Sequence, residues 1–427
     1  MEDKKLPQTE FESNLEKYAD VLLKVGLNLQ PGQHLLIGIP LFGVYGVPIE
    51  LFPLIRLITR KAYQAGARLV DVLWNDDQMR LIRFQEAPRD SFDEFPEWRA
   101  KASFDTFSSG DAILSFDAED PELLKDQDPE LVGVFQSTNW QHMRSTMDLI
   151  TKNATNWCIA TAPVDGWAEK IFPLLSPIEG KAKFWDTIFE ICRVKQADPI
   201  AAWQTHLTEL SKRVNYLNHK KFLKLKYTAP GTDLMIGLPE GHAWHGCGMI
   251  SQNGIDFTAN IPTEEVFTLP HKNKVDGVVS STKPLGYGGS VIEDLTLKFS
   301  GGKVVEINAK KNENVLRGLI KTDDGASRLG EVALVPHSSS ISQTDLLFNN
   351  ILLDENASSH LALGTAYKFS VKNGEEMSDE DFATIGGNQS MVHVDFMIGA
   401  GEMDIDGITN DGSTEAVMRG GEWAFDI

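Results

Sequence analysis

Hydrophobic and polar residues follow two different periods along the first half of the chain. Between residues 11 and 25, apolar side chains recur at three- and four-residue steps, which predicts an amphipathic helix. Continuous apolar runs predict buried strands at residues 34–39, 68–73, 112–116 and 157–160. Helical patterns separate these runs, among them residues 48–65 and 131–152. Strands separated by helices predict an α/β domain with a mainly parallel sheet covered on both faces.

The pattern changes after a long amphipathic helix, which we place at residues 198–220. From residue 222 onwards, glycine turns separate short runs in which apolar and polar residues alternate. Residues 295–299 and 303–307 predict a hairpin around Gly301 and Gly302, and residues 315–321 predict a helix. We therefore predict an α/β domain at residues 1–220 and a mixed, largely antiparallel α+β domain at residues 221–427.

The alternation of apolar and polar residues is clearest in residues 391–399. His393 and Asp395 leave one face of the predicted strand, while their apolar neighbours leave the other. An imidazole and a carboxylate two residues apart on a strand can donate lone pairs to the same cation. A buried hydrogen bond within a core strand would give the same pattern, so this stretch alone leaves both interpretations open.

Composition and charge narrow the possible partners. The chain has 427 residues, 42% of them hydrophobic, which is enough for two or three packed cores. Its formal charge is −21, from 61 acidic and 40 basic residues. Because phosphate backbones and lipid head groups are also anionic, we expect no nucleic-acid partner and no membrane partner.

Several local features favour a cytoplasmic protein. Residues 1–5 are charged and lack the apolar core of an export signal. The most apolar region, residues 35–49, contains glycines and prolines that would break a membrane-spanning helix. Cys158, Cys192 and Cys247 form no CxxC pair, which fits small core residues in a reducing compartment and excludes a cysteine-built zinc site. The loop at residues 38–46 matches neither glycine-rich phosphate-binding pattern, so a nucleotide site has little support.

Further candidate metal ligands lie upstream of His393. Glu264 and Glu265 lie in an extended run, so they face opposite ways and only one can serve a given site. Glu331 lies beside an apolar strand and, if buried, must be neutralised, paired or bound to a metal. His360 and Tyr367 are seven residues apart, which would put both on one face of a helix. Each of these residues also has a structural explanation, as a solvated acid, a strand end or a core side chain.

These features together carry a family resemblance. The sequence NIPTEEVF at residues 260–267, the strand around Glu331, the pair His360 and Tyr367, and the His-Val-Asp run at residues 393–395 resemble the M29 metallopeptidases, the thermophilic aminopeptidase family. Order and spacing match across the second half, and the first half is similar in α/β pattern and length. The resemblance implies six metal ligands, none of which is substituted in this chain: Glu265, Glu331, His360, Tyr367, His393 and Asp395.

The resemblance also implies a reaction. It predicts a metallo-aminopeptidase, a hydrolase that releases N-terminal amino acids from peptides with a free N-terminus, and a homodimer. Two divalent ions of the zinc, cobalt or manganese type would activate the attacking water. We expect Glu331 to be the general base, since its apolar strand would raise its pKa toward the working range. Tyr367 would ligate a metal or donate a hydrogen bond to the oxyanion, and Glu264 is a candidate partner for the substrate α-amine.

Two alternatives follow from the same residues. The first is a dinuclear-metal amidohydrolase acting on a small non-peptide amide, which a comparison of aminoacyl amides with their N-blocked versions would separate from a peptidase. The second is a non-catalytic binding protein whose carboxylates are structural. A protein that binds a small molecule tightly but has no affinity for zinc or cobalt would favour the second alternative.

Overall fold

The structure, a computed structural model, describes residues 9–39, 46–246, 248–287 and 290–427. The chain divides into two compact units. The first unit runs to His206 and also contains Gly248–Pro262, while the second begins at Leu207 and resumes at Thr263. The change of pattern along the sequence predicts one boundary near residue 220. In the structure the change of unit falls inside the helix Pro199–Lys220, and a later segment returns to the first unit.

Five parallel strands form the main sheet of the first unit, which confirms the predicted α/β architecture. Their order across the sheet is Asn260–Ile261, Trp157–Thr161, Ala112–Asp117, His34–Ile37 and Leu69–Val72. Every residue of Trp157–Thr161 is buried, as expected for a strand covered on both faces. The strand Asn260–Ile261 lies in the returning segment, so a prediction that follows chain order alone does not assign it to this sheet.

Several helices of the first unit begin at a residue whose side chain caps the helix. Thr9 and Glu12 form a capping box at the start of Glu10–Val21, and this helix continues as a π-helical turn, Leu22–Gly26. The helices of this unit, together with the one that crosses into the second unit, are Glu10–Val21, Phe52–Gln64, Asp77–Glu86, Glu97–Ser109, Pro129–Ile150, Asp165–Ile171, Pro177–Ile191 and Pro199–Lys220, with 3-10 turns at Ile49–Leu51 and Arg89–Asp93. Short strand pairs add Val47–Pro48 with Trp74–Asn75 and Gly248–Ile250 with Asp256–Thr258.

The second unit consists mainly of antiparallel sheets, as the alternating runs predict. Its larger sheet has eight strands in the order Lys303–Asn308, Thr296–Ser300, Val275–Ser280, Thr232–Gly237, Lys224–Ala229, Asp404–Ile408, Thr414–Arg419 and Glu422–Trp423. The predicted hairpin is confirmed at Thr296–Ser300 and Lys303–Asn308. Gly302 in its turn has a φ of +81°, and a Cβ there would lie 1.8 Å from the carbonyl oxygen of Lys272. Only glycine fits such a backbone.

A second sheet of this unit has four antiparallel strands, and we call it the site sheet. Its strands, in order, are Val266–Thr268, Leu329–Leu334, His360–Gly364 and His393–Met397. One hydrophobic core contains side chains from both sheets, such as Leu361 and Phe396 from the site sheet and Tyr227 from the larger one. The remaining elements are the pair Leu285–Tyr287 and Ser290–Ile292, the helices Glu313–Ile320, Ile351–Glu355 and Asp379–Thr384, and the 3-10 turns Gly325–Ser327, Ser342–Thr344, Lys368–Ser370 and Gly374–Glu376.

Some of the sequence predictions concern regions without described structure. Residues 1–5, residues 40–45 of the loop considered for phosphate binding, and Cys247 lie outside the described residues. Cys158 and Cys192 are free and fully buried, as predicted for core cysteines. Among the described helices, none combines the length and apolarity that crossing a bilayer requires.

Candidate metal centre

The candidate ligands lie on one face of the site sheet because side chains alternate along each strand. Glu331 is paired across the sheet with Ala362, and Ala362 is paired with Asp395. These three side chains therefore form one row, in which the small alanine leaves room between the two carboxylates. His360 and His393 lie on the same face, two residues along from Ala362 and Asp395 respectively. We call this side of the sheet the site face.

The opposite face of the same strands is apolar. Val332, Leu361, Leu363, Val394 and Phe396 all belong to the hydrophobic core. The alternation predicted for residues 391–399 is confirmed over His393–Met397, a strand with His393 and Asp395 on one side and core residues on the other. The burial of the apolar face fixes the register of the strands, since a slip of one residue would turn the carboxylates into the core.

A β-bulge sets the direction of Glu331. The pairing between the strands Leu329–Leu334 and His360–Gly364 shifts between Leu329 and Glu331, so that Leu329 enters the core while Glu331 keeps to the site face. The residue between them is Gly330, where a Cβ would lie 2.2 Å from the carbonyl oxygen of Thr365. No larger residue fits this close backbone approach, so the glycine is part of what aims Glu331.

The two imidazoles and three of the carboxylates converge closely. His360 Nε2 lies 3.1 Å from Glu265 Oε2, 3.7 Å from Glu331 Oε1 and 4.0 Å from Asp395 Oδ1. His393 Nε2 lies 3.5 Å from Glu331 Oε2 and 3.6 Å from Asp395 Oδ1. Each oxygen of Glu331 therefore faces a different imidazole, and Asp395 is within reach of both rings.

Backbone carbonyls fix the orientation of both histidines. His360 Nδ1 lies 3.0 Å from the carbonyl oxygen of Ser358, and His393 Nδ1 lies 2.9 Å from that of Thr365. A carbonyl oxygen can only accept, so each Nδ1 carries the proton and donates it. With Nδ1 held by a carbonyl, Nε2 is the ring nitrogen that faces the carboxylates and the atom that can ligate a metal, which is the arrangement of a metal-ligating histidine.

The pKa values of these groups reflect burial among like and unlike charges. Burial raises the pKa of Glu331, against the opposing influence of His360 and His393. Burial alone would lower the pKa of His393, but the charge of Asp395 outweighs it and raises the value to about 9. Burial likewise opposes the proton on His360, while Glu265 and Glu331 hold its pKa well above the ordinary value. The excess negative charge of the cluster thus favours any bound cation.

The cluster fits metal ions better than it fits an ordinary hydrogen-bond network. Among the described residues, the buried oxygens Glu265 Oε2 and Asp395 Oδ1 accept no hydrogen bond, although imidazole nitrogens lie near them. An unsatisfied buried carboxylate oxygen is costly unless a cation neutralises it. Glu265, Glu331 and His360 offer ligand atoms that all lie within 4.8 Å of one another. Carboxylate oxygens and imidazole nitrogens are the mixed ligand set that zinc, cobalt and manganese accept.

Sequence reasoning missed one acid of this cluster. Glu355 ends the helix Ile351–Glu355, and its carboxylate lies with His360 and Asp395 in a second group whose ligand atoms are within 4.8 Å of one another. Burial, and after it the charges of Asp395 and Glu265, raise the pKa of Glu355 well above its ordinary value. The only sequence signal was an acid closing a short leucine-containing helical turn five residues before His360.

The structure also shows the surroundings of two further candidates, Glu264 and Tyr367. Glu264 is buried, its Oε1 accepts a hydrogen bond of 3.0 Å from Ser340 Oγ, and it belongs to neither group of converging ligand atoms, whereas Glu265 does. Tyr367 stacks on Phe369 at 5.1 Å, and its ring centre lies 5.0 Å from that of His393. The helical spacing suggested for His360 and Tyr367 is wrong, because His360–Gly364 is a strand and Tyr367 follows it.

Comparisons with known proteins show which family the chain resembles. The family model described as thermophilic metalloprotease (M29) matches residues 11–423. Aminopeptidase 2 of Geobacillus stearothermophilus is 45% identical over 417 residues, covering 98% of this chain and 99% of the relative. Aminopeptidase T of Thermus thermophilus is 42% identical over 413 residues, covering 97% and 99%. The solved structure titled wild-type AmpT from Thermus thermophilus matches with a TM-score of 0.90 at 41% identity, covering 97% of this chain and all of that one.

The fold and the site, taken with these comparisons, define a metallopeptidase. The chain belongs to the M29 family of thermophilic metalloproteases. The resemblance stated from the sequence is thereby confirmed, as are the fold class and the enzyme class, a metallo-aminopeptidase of the EC 3.4.11 type.

Proposed function

We propose that this protein releases N-terminal amino acids from peptides with a free N-terminus, using two divalent ions of the zinc, cobalt or manganese type. The proposed ligands are Glu265, Glu331, His360, Tyr367, His393 and Asp395. The observation that carries the proposal is the position of Glu331, whose two oxygens face two different imidazoles at 3.7 and 3.5 Å. A carboxylate in that position is suited to be shared between two cations.

The negative charge of the cluster supports a site for two divalent ions. The cluster holds the four carboxylates of Glu265, Glu331, Glu355 and Asp395 beside two imidazoles whose tautomers leave them neutral when they ligate. Two divalent cations would balance these four negative charges, whereas one would leave an uncompensated excess in a buried site. Two bound ions, when present, would lower the pKa of the attacking water and polarise the scissile carbonyl.

The chain's own residues would position the substrate and handle charge. The hydroxyl of Tyr367, on a ring packed against Phe369 and His393, is a candidate donor to the oxyanion that forms as water attacks. An acid of the cluster would accept a hydrogen bond from the free α-amine of a peptide even when two ions balance the charge of the cluster, which gives a physical reason for exopeptidase selectivity. Glu264, the acid considered for this role, is held instead by Ser340, so we assign amine recognition to the acids of the cluster.

Chelation and reconstitution test the proposal most directly. The protein is stripped with a chelator, dialysed and reloaded with zinc, cobalt or manganese, and its hydrolysis of a leucyl p-nitroanilide is compared with that of the N-acetylated substrate. We expect activity to disappear on chelation, to return at a stoichiometry of two ions per chain, and to be absent on the blocked substrate. Activity that survives exhaustive chelation would contradict metal dependence, and full activity with one ion would contradict the shared Glu331.

Comparing the free and the N-blocked substrate also distinguishes an aminopeptidase from the amidohydrolase alternative. A dinuclear amidohydrolase acting on small non-peptide amides would cleave N-blocked or non-aminoacyl amides at least as well as aminoacyl ones. Membership in a peptidase family supports the peptidase reading and gives no support to a non-catalytic binding protein.

We also propose a homodimer in the cytoplasm. Family resemblance supports the dimer, and two free buried cysteines fit a reducing compartment. Light scattering on the purified protein tests the first proposal, with a single-chain mass contradicting it. Fractionation of cells that express the protein tests the second.

A further inference from the structure

We infer that His245 is a positioning residue that holds the ring of Tyr367, and with it the hydroxyl, at the metal centre, an inference that rests on the proposed function. Tyr367 follows the strand His360–Gly364 and directly precedes the 3-10 turn Lys368–Ser370. Its direction therefore does not come from strand pairing, unlike that of the two imidazoles of the cluster. His245 belongs to an earlier segment of the second unit and binds this turn through its side chain.

A hydrogen bond from the imidazole of His245 fixes the turn beside Tyr367. His245 Nε2 lies 2.9 Å from the carbonyl oxygen of Phe369, the middle residue of the turn. Because a carbonyl oxygen can only accept, Nε2 carries the proton and donates it. The ring of Phe369 stacks on that of Tyr367, with 5.1 Å between the ring centres and 11° between the planes. The imidazole thus fixes the backbone of the residue on which the tyrosine ring packs.

The rings around Tyr367 form one aromatic cluster. The ring centre of Phe267 lies 6.1 Å from those of both His245 and Phe369, and 6.4 Å from that of Tyr367. His245 meets Phe369 edge-on, with 5.2 Å between the ring centres. The ring of Tyr367 also lies 5.0 Å from that of His393, a proposed ligand. Because packed rings interdigitate without spare room, a shift of His245 changes the position available to the tyrosine ring.

The backbone of His245 is also paired with the strand that follows Glu265. The N–H of His245 donates to the carbonyl of Phe267 at 2.8 Å, and the N–H of Phe267 donates to the carbonyl of His245 at the same distance of 2.8 Å. Phe267 lies in Val266–Thr268, an edge strand of the site sheet, and Glu265 directly precedes this strand. One residue therefore joins the segment that carries Glu265 to the turn that follows Tyr367.

Further hydrogen bonds hold the same stretch without the imidazole. The N–H of Ala243 donates to the carbonyl of Ser370 at 2.8 Å, and the carbonyl of Ala243 accepts a bond of 2.8 Å from Thr268 Oγ1. Because these contacts use neither ring nitrogen of His245, loss of the imidazole should release the bond to Phe369 and leave the path of the chain in place. The contribution of His245 to activity can therefore be measured in a folded protein.

The test compares two exchanges of His245 with a matched control. His245→Phe keeps a ring but has no donor, whereas the amide nitrogen of His245→Gln lies as many bonds from the backbone as Nε2 does. His242→Phe is the control, because His242 is a half-buried histidine of the same stretch whose Nδ1 contacts the carbonyl of Pro239 instead. The values of kcat and KM are measured on a leucyl p-nitroanilide with saturating zinc.

We expect His245→Phe to lower kcat by about 10- to 100-fold at an unchanged KM, the range for a residue that orients a group of a metal site. His245→Gln should recover most of the lost kcat because it restores the donor, and His242→Phe should match the wild type. A wild-type kcat in His245→Phe would overturn the inference. So would a His245→Gln variant that recovers nothing, since the hydrogen bond would then not be what matters.

Combination with Tyr367→Phe shows whether His245 acts through the tyrosine. If it does, adding His245→Phe to Tyr367→Phe should lower kcat little further, because the two residues act as a unit. A merely structural defect would multiply the two losses. An equal fold-loss from His245→Phe in both backgrounds would therefore overturn the inference.

Phe369→Leu keeps the inference testable if His245→Phe does not fold. This variant removes the stacked ring but keeps the carbonyl that His245 binds, so it should lower kcat and add little to Tyr367→Phe. A wild-type kcat in Phe369→Leu would overturn the inference. Each of these negative results leaves the proposed function intact, since the wild type still cleaves the anilide. A metal-loaded wild type that cleaves no aminoacyl substrate overturns the proposed function, and the positioning role with it.

Discussion

The two faces of the site sheet share four strands and differ in what stabilises them. One face, with Leu361 and Phe396, is part of a closed apolar core and is stabilised by leaving water. The other face gathers acids and imidazoles whose buried oxygens, including Glu265 Oε2 and Asp395 Oδ1, lack hydrogen-bond donors. The apolar face fixes the geometry of the sheet, whereas the site face carries buried negative charge that bound cations would neutralise. Substitutions on the site face should therefore impair metal binding and hydrolysis, whereas substitutions on the apolar face should lower the stability of the fold.

The largest effect should come from removing a shared ligand on the site face. We expect Asp395→Ala to lose hydrolysis to background and to bind fewer metal ions, because Asp395 Oδ1 lies within 4.0 Å of both imidazoles. Metal analysis and an aminoacyl anilide assay measure this. Glu306→Ala, an exposed acid on another strand of the same unit, is the control and should stay active. A fully metallated, active Asp395→Ala would remove this residue from the site.

The next largest effect should come from a substitution on the apolar face of the same strand. Phe396 is 1% exposed, so Phe396→Ala should lower the free energy of unfolding by about 3–5 kcal/mol through lost burial and a cavity. Urea unfolding with excess zinc measures the change. The folded fraction should still bind metal, since Phe396 contributes no ligand atom. A loss of metal without a loss of stability would contradict the division between the faces.

Tyr367→Phe should have a smaller effect, and one confined to catalysis. If the hydroxyl donates to the oxyanion, its loss should lower kcat by about 10²- to 10³-fold with metal content unchanged, because the ring keeps its packing on Phe369. If the hydroxyl is a ligand, metal affinity falls as well. Parallel measurements of kcat and of zinc affinity decide between these roles, and an unchanged kcat would exclude both.

The smallest effect should be the stabilisation of the wild type by metal. Ions that bind only the folded protein at 100 times their dissociation constant should raise its stability by about 2.7 kcal/mol per site. Thermal unfolding of the stripped protein, with and without zinc, measures this shift. The shift should shrink in Asp395→Ala and persist in Phe396→Ala. Equal shifts in both variants would mean that the stabilising ions bind elsewhere.

Much of the fold could be predicted because its signals are local. Continuous apolar runs gave the strands Ala112–Asp117 and Trp157–Thr161, and strict alternation gave His393–Met397 with its two faces. The parallel and antiparallel character of the two halves followed from the same patterns and is confirmed by the pairing. The six ligand candidates came partly from residue chemistry and mainly from family resemblance, and their roles stay predictions.

What could not be predicted depends on contacts between distant parts of the chain. The bulge at Gly330 exists because a neighbouring strand approaches it closely, and no pattern within residues 329–334 shows this. Glu355 joins His360 and Asp395 only through the path of the chain between the helix Ile351–Glu355 and the site sheet. That only one of Glu264 and Glu265 joins the cluster was predictable from the extended run, whereas the partner of Glu264, Ser340, was not.

The returning segment Gly248–Pro262 affects how this protein can be divided for expression. A fragment ending at residue 220 would lack Asn260–Ile261 and leave the backbone of Trp157–Thr161 without its neighbour on that side. An uncovered edge on such a buried, largely apolar strand invites pairing with other chains, so such a fragment should precipitate. A fragment intended to fold as the first unit must therefore contain residues 248–262 joined to residues 1–206.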